Sequence, residues 1–324
     1  MKPFESFMAP KFEEFLVYRE GLGYSMEAYR SYLHSFDRYL KETEAEWSSL
    51  DPAFFLDMRA NLKMESRSAN KILTAVRVLF QFLVRRDYLG ENPLRDIPFM
   101  KENTIVPFVF FPEQIDQLLE AICKGVRKTK GRFLTDFSLY MAVMLLARCG
   151  MRISEPVGLL RHHYRRDEAT IYIEKTKFKK DRLIPIPKDV VTEIENYLSV
   201  RKSLLRYDQS PYLLLRTNQQ PLTNQQVLYL FRKTLKNIGF DQPRKVIGNV
   251  NFSRPTPHSL RHSFAVNTLI KIKERGESPQ KALPVLAAYM GHSEYKYTSV
   301  YLRVVDAQSR KDLVDFSLWQ KRKQ

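Results

Sequence analysis

Cysteine is nearly absent from this chain: Cys123 and Cys149 are the only two among 324 residues. That is too few and too unpatterned for a disulfide framework or a cysteine-rich zinc site, so both read as ordinary, partly buried thiols. No uninterrupted apolar run approaches the roughly 20 residues needed to cross a bilayer, and the N-terminal MKPFESFMAP lacks a signal-peptide core. The expectation is a soluble, cytoplasmic, nucleoid-associated protein with no membrane partner. Internal repeats are missing, as is low complexity beyond the short basic tail QKRKQ. Acidic residues are also scarce: 36 Asp and Glu face 53 Lys and Arg, a net charge of +17. A metal-dependent nuclease would need an acidic ligand cluster, and none is visible. A field of that sign repels itself unless an anion neutralises it. Nucleic acid is therefore the first candidate partner, ahead of a membrane surface or no anionic partner at all.

Apolar residues, by contrast, make up 44% of the chain and aromatics 12%, enough to offset the entropy of ordering. The length allows two domains with separate cores. Between residues 9 and 91, apolar side chains recur at three- and four-residue spacing through KFEEFLVYRE, AYRSYLHSFDRYL, PAFFLDMRANL and SANKILTAVRVLFQFLVRRDYL, which predicts helices joined by short polar links. Gly90, Asn92 and Pro93 stop the last of them, and Pro98 and Pro107 bracket the weakly patterned FMKENTIV. The expected division is a helical domain over 1–98, a linker over 99–108 and a second domain over 109–324. The second domain should open with a helix at PEQIDQLLEAICKGV, followed by a buried helix at FSLYMAVMLLARC that Gly150 ends. ATIYIE and RLIPIP alternate as strands do, and the basic link KTKFKKD joins them into a β-hairpin. The fold class is thus mainly α, with a small antiparallel β-sheet in the second domain (α+β).

Three stretches hold residues suited to chemistry. In GMRISEPVGLL, Gly150 ends one helix and Ser154 is a candidate cap for the next, which holds Arg152 between the two. TPHSLRHSFAVNTLI brings His258, Arg261 and His262 onto neighbouring helix faces. The two histidines could form a zinc pair. However, a zincin motif has a Glu between them, and Arg261 would set a fixed positive charge beside the metal. No metal and no cofactor is therefore expected. YMGHSEYKYTSVYLRV supplies His292 and, nine residues later, Tyr301 among several other tyrosines. Any one of these residues could be structural, and the specificity lies in the ordered set.

That ordered set resembles the tyrosine recombinase, or phage integrase, family, whose members include Xer recombinases and transposon integrases. Gly150 to Glu155 match its Gly-Leu-Arg-x-Ser-Glu box, with Met151 replacing leucine. His258, Arg261 and His262 match His-x-x-Arg-His, and Met290 to Ser293 with Tyr301 match Leu-Gly-His-Ser and its following tyrosine. The family's hairpin lysine points to Lys177, ahead of Arg182, Leu183, Ile184 and Pro185. Phe178 stands where glycine is frequent, and Lys179 is the alternative lysine. KIKERGESPQKALP looks like a lengthened surface loop; with no separate arm-binding domain in view, it leans the reading toward a mobile-element integrase over an Xer-like resolvase of chromosome or plasmid dimers.

The resemblance implies two-domain recombinase architecture and a catalytic set of Arg152, Lys177, His258, Arg261, His292 and Tyr301. Breaking a phosphodiester builds charge on the two non-bridging oxygens, and arginine offers a permanent cation with a planar donor fork. Tyr301 would attack phosphorus and store the bond as a 3'-phosphotyrosyl ester. His258 would accept its proton and Lys177 would protonate the leaving 5'-oxygen. His292 would bind the phosphate or position the tyrosine, His262 would orient its neighbours, and Glu155 would buttress Arg152. Partners are a double-stranded DNA recombination site, gripped by both domains through runs such as KGVRKTKGR and RHHYRR, and further copies of the chain: a dimer on a site, a tetramer in the synapse. In that scheme the apolar stripe of DAQSRKDLVDFSLWQ docks on a neighbour, although the same stripe could pack on its own core. Two other readings share the features: a type IB topoisomerase-like strand-passage enzyme, and a DNA-binding regulator with a decayed site.

Overall fold

The computed structural model describes residues 2–174, 181–205, 207–292, 298–299 and 301–302. The chain divides into two compact units, Met1–Thr104 and Ile105–Gln324. The first holds four helices: α1 (Ala9–Gly21), α2 (Glu27–Glu42), α3 (Pro52–Asn61) and α4 (Ser66–Arg85). Their starts follow from local chemistry. Pro52 opens α3, where its missing N–H is no loss, and Asp51 caps it by accepting the Phe54 N–H at 2.8 Å. The apolar spacing of α2 and α4 buries Leu33, Phe36 and Leu40 against Val76, Phe80 and Leu83. Phe12, Phe36, Phe55 and Phe80 form a chain of ring contacts with centroids 5.1–6.1 Å apart. Buried Asp37 accepts the backbone N–H groups of Glu5 and Ser6, tying the N-terminal segment to this core.

Strand β1 (Thr104–Val106) crosses the division. In the second unit α5 (Pro112–Lys124) is followed by α6 (Phe133–Arg148), which is apolar on all sides and buried from Leu134 to Ala147 on most of its positions. It packs against α5 and four later elements: α7 (Ser154–Gly158), α8 (Lys188–Leu204), α9 (Asn224–Asn237) and α10 (Pro257–Glu274). A helix surrounded in this way needs no polar face. Strands β2 (Tyr164–Arg165), β3 (Thr170–Ile173) and β4 (Arg182–Pro185) form an antiparallel sheet in that order, with Ile173 opposite Arg182 and Ile171 opposite Ile184. Strands β5 (Lys245–Ile247) and β6 (Val250–Phe252) form a second hairpin, with β1 beside β6. Helix α11 (Pro279–Met290) follows α10.

Two local expectations change. Ser154 is the first residue of α7 and not its cap. Ile153 holds the cap position, with no side-chain cap bond, and the Glu155 carboxylate instead reaches back to the Arg152 N–H at 2.8 Å. The stretch KIKERGESPQKALP is mostly helix rather than loop. Its first four residues finish α10, Gly276 turns the chain at φ +81°, and Pro279 sits in the first turn of α11. Lys and Glu are good helix formers, so charge density there marked a solvated helix end. Lys177, Lys179, Lys180 and the C-terminal stripe lie outside the described residues.

Candidate active site

Arg152, Arg261, His258, His262, His292 and Tyr301 converge at the junction of α7, α10 and the end of α11. Gly150 makes the first approach possible. It follows α6 with φ +59°, and a Cβ there would stand 2.5 Å from Phe264 Cδ1 on α10. Only glycine allows the α6–α7 turn to lie this close to α10, so that the Gly150 carbonyl accepts from Arg261 Nη1 at 2.7 Å. Gly150→Ala is expected to destabilise the chain by about 2–4 kcal/mol through left-handed strain and the clash with Phe264. Chemical denaturation would measure it, and a midpoint unchanged from wild type would show that the turn relaxes freely.

The helix-terminal carbonyls of α11 are the second organising feature. The last carbonyls of a helix have no partner within it, and three guanidinium groups take up consecutive ones. Arg182 Nε donates to Tyr289 O at 2.8 Å, Arg261 Nη2 donates to Met290 O, and Arg152 Nη2 donates to Gly291 O at 2.8 Å. Glu155 lies between two of these arginines. Its Oε1 accepts Arg152 Nη1 and Arg182 Nη1, both at 3.0 Å; its Oε2 accepts the Arg152 N–H at 2.8 Å and Arg182 Nη2 at 2.9 Å. Burial pushes the Glu155 carboxyl up, but the Arg182 hydrogen bonds and charge outweigh it and hold the pKa below the ordinary range. The carboxylate is therefore ionised and fully partnered.

The histidines lie beside this cationic floor. His262 Nδ1 is 2.9 Å from Tyr301 Oη, and the His258 ring stands edge-on to His262 at 4.5 Å between centroids. The imidazole in contact with the phenol is thus His262, whereas the sequence pointed to His258 for that role. His258 is the more solvent-exposed member of the pair. His292 Nδ1 is 2.8 Å from Thr298 Oγ1, which fixes its ring 6.4 Å from that of Tyr301. Tyr301 is buried, with 3% of its surface exposed. Burial raises its phenol to about 12, against the partial pull of Arg261 and Arg152. His262 is lowered to about 3 and His292 to about 4, by burial first and then by neighbouring imidazole and guanidinium charges. A neutral imidazole hydrogen-bonded to a protonated phenol can accept its proton.

These imidazoles also carry a stability signature. Each binds its proton less readily folded than unfolded, where about 6.5 is ordinary. Their contribution is therefore present above about 6.5 and is lost as the pH falls toward 4. The melting temperature should drop by several degrees between pH 6.5 and 4.5, and drop less in the His262→Asn, His292→Asn double variant. Equal slopes in thermal melts would show that these rings are not held neutral.

Two residues of this site escaped the sequence reading. Arg182 was read only as the start of a strand, and Thr298 was not singled out. A signal for Arg182 existed: on an alternating strand it shares the inward face with Ile184, where an arginine needs a buried partner. The basic runs are partly self-neutralised. Arg161, Arg165 and Arg166 face Asp208, Glu168 and Glu195 at 3.2–3.5 Å, and Arg127 pairs with Asp136 at 2.7 Å, while Lys128, Lys130 and Arg132 are exposed. Among the described residues no group of three or more His, Cys, Asp or Glu side chains could hold a metal ion, and no helix is long and apolar enough to cross a membrane.

A helical first unit, an α+β second unit and a cluster of arginines and histidines around a buried tyrosine define the class: an arginine-based site suited to a phosphodiester. The chain belongs to the phage integrase family, matching it over residues 109–308, and matching the family's N-terminal SAM-like domain over residues 11–87. It is 28% identical over 306 residues to the tyrosine recombinase XerA of Pyrococcus furiosus, covering 94% of this chain and 92% of that one. With the tyrosine recombinase XerD of Shewanella oneidensis it shares 25% identity over 289 residues, covering 88% and 87%. Among solved structures, the Tn1549 transposon integrase in complex with a circular intermediate DNA superposes with a TM-score of 0.67 at 18% identity, covering 92% of this chain and 95% of that one. A lambda integrase dimer bound to a core site gives 0.64 at 15%, covering 90% and 76%. These likenesses establish the fold.

Proposed function

We propose that the chain is a site-specific DNA recombinase that cuts and rejoins strands through a covalent 3'-phosphotyrosyl bond made by Tyr301. The observation that carries this reading is the contact of Tyr301 Oη with a neutral His262 at 2.9 Å beside Arg152 and Arg261. The phenol oxygen attacks phosphorus, its proton passes toward His262 Nδ1, and the bond to the 5'-oxygen breaks. Arg152 and Arg261 stabilise the charge on the non-bridging oxygens. One ester is exchanged for another, so attack by the partner strand's 5'-hydroxyl reverses the step without ATP. Lys177, or Lys179, donates the proton to the leaving oxygen in this scheme. His258, exposed beside His262, and His292, held by Thr298, contribute donors to the phosphate. The DNA is a duplex recombination site, bound by a dimer, with two dimers joined in a tetrameric synapse; both recombinase names among the relatives and the DNA complexes among the structural neighbours support this reading.

The test is to express the chain in cells, isolate protein–DNA adducts under denaturing conditions, and sequence the attached ends. Adducts clustered at one repeated sequence, each joined through Tyr301 with a free 5'-hydroxyl opposite, are the expected result. DNA binding without any adduct would overturn the reading in favour of a regulator with a decayed site. The same map separates two roles: ends of an inserted element would mark integration and excision, whereas one site per replicon would mark Xer-like dimer resolution. The stretch at 271–284 no longer bears on that choice, since helix ends fill most of it.

A further inference from the structure

Arg182 is 8% exposed at its side chain and spends three donors inside the protein, two on Glu155 and one on Tyr289 O. It is closed to DNA, yet it touches both elements that present the phosphate-binding groups. We propose that Arg182 is a positioning residue for strand cleavage, which neutralises Glu155 so that the Arg152 guanidinium keeps its charge for the scissile phosphate, and which fixes the end of α11 so that His292 is presented beside it. The inference rests on the phosphotyrosyl reading above.

The charge count gives the reason. Arg152 and Arg261 offer two positive charges to a phosphate whose transition state gains negative charge. Glu155 touches Arg152 directly and is 7% exposed, so an unpartnered carboxylate there would claim that guanidinium and subtract from the clamp. Arg182 meets both carboxylate oxygens in a bidentate fork at 3.0 and 2.9 Å, the strongest geometry available to a counter-ion. The carboxylate then serves as a rigid strut that holds the Arg152 N–H and Nη1, while the surplus charge stays on the arginine. Space is equally constrained, since a Cβ on Gly291 would come within 3.1 Å of Arg182 Cδ, so the stem of Arg182 also sets where the α11 end can lie. Arg182 also pairs with Ile173 between β3 and β4, which fixes its place on the sheet.

The experiment measures single-turnover cleavage on the duplex recovered by adduct mapping, nicked beside the cleaved phosphate so that the adduct accumulates. Wild type, Arg182→Lys and Arg182→Ala are compared, with DNA affinity measured by fluorescence anisotropy and folding by thermal melts. Arg182→Ala is expected to bind DNA within about 3-fold of wild type yet cleave roughly 100-fold more slowly, as for a displaced oxyanion donor. Arg182→Lys, which keeps the charge without the fork, should lose about 10-fold. A second substrate replaces one non-bridging oxygen of the scissile phosphate with methyl and so removes charge that Arg152 must neutralise. On it the deficit of both variants should shrink to within about 3-fold. An equal deficit on both substrates, or no deficit on either, overturns the proposal. Should Arg182→Ala not fold, Arg182→Lys with the two substrates decides in the same way. Wild type that forms no Tyr301-dependent adduct would instead remove the phosphotyrosyl reading itself, a result distinct from wild-type adduct formation that Arg182 variants match.

Discussion

Tyr301→Phe should abolish strand cleavage, with a loss of about 10⁴-fold or more, while DNA affinity changes little. The substitution removes one oxygen and no packing surface. Its cost in the folded protein is a single hydrogen bond to His262 Nδ1, worth about 1 kcal/mol, and His262 remains neutral without it. The phenol lies buried, and burial holds it protonated at about 12. It therefore becomes a nucleophile only as bond formation to phosphorus carries its proton to the imidazole. Among the described residues, the neighbouring hydroxyl of Thr298 is engaged with His292. Incubating wild type and Tyr301→Phe with the mapped duplex and resolving adducts on denaturing gels measures the outcome. Adduct formation by the Phe variant would place the nucleophile elsewhere among the tyrosines between residues 295 and 301.

The contrast between what the sequence disclosed and what only the fold revealed turns on where the partner atoms come from. Arg152, Arg261 and Tyr301 could be singled out because the ordered boxes around them resemble the phage integrase family's; α2, α4 and the β3–β4 hairpin were legible because their burial follows period 3.6 or 2, and α6 because of its long apolar run. The choice between His258 and His262 was not. Residues four apart share one helix face, so only the tertiary position of Tyr301 decides which ring it meets. The three arginine bonds to the carbonyls of Tyr289, Met290 and Gly291 were invisible for a related reason: backbone acceptors carry no residue identity. Arg182 sits between these cases. Its inward register on β4 could be counted from the sequence, but its partner Glu155 lies 27 residues away and no local pattern joins them.

The other large effect is expected from Arg261→Lys, a change that preserves charge and removes geometry. Arg261 is 1% exposed and reaches two backbone carbonyls at once, Gly150 O across the α6–α7 turn and Met290 O at the end of α11. Its planar fork satisfies both and still leaves donors for a phosphate oxygen, whereas an ammonium on a flexible stem is a single point of charge. Cleavage should therefore fall by about 10²–10³-fold at neutral pH. Burial, and then the positive charge of Arg152, already lower the Arg261 guanidinium to about 9. A free lysine starts at about 10.4, and the same burial and neighbouring positive charge would lower it. Because the cation is the working form and arginine keeps its proton at any working pH, the residual activity of the lysine variant should fall as the pH rises, while wild type holds level. A pH series of single-turnover cleavage on the mapped duplex would show it. Parallel profiles for the two proteins would mean that residue 261 contributes structure alone, and the charge that stabilises the transition state would then have to come from Arg152 and the hairpin lysine.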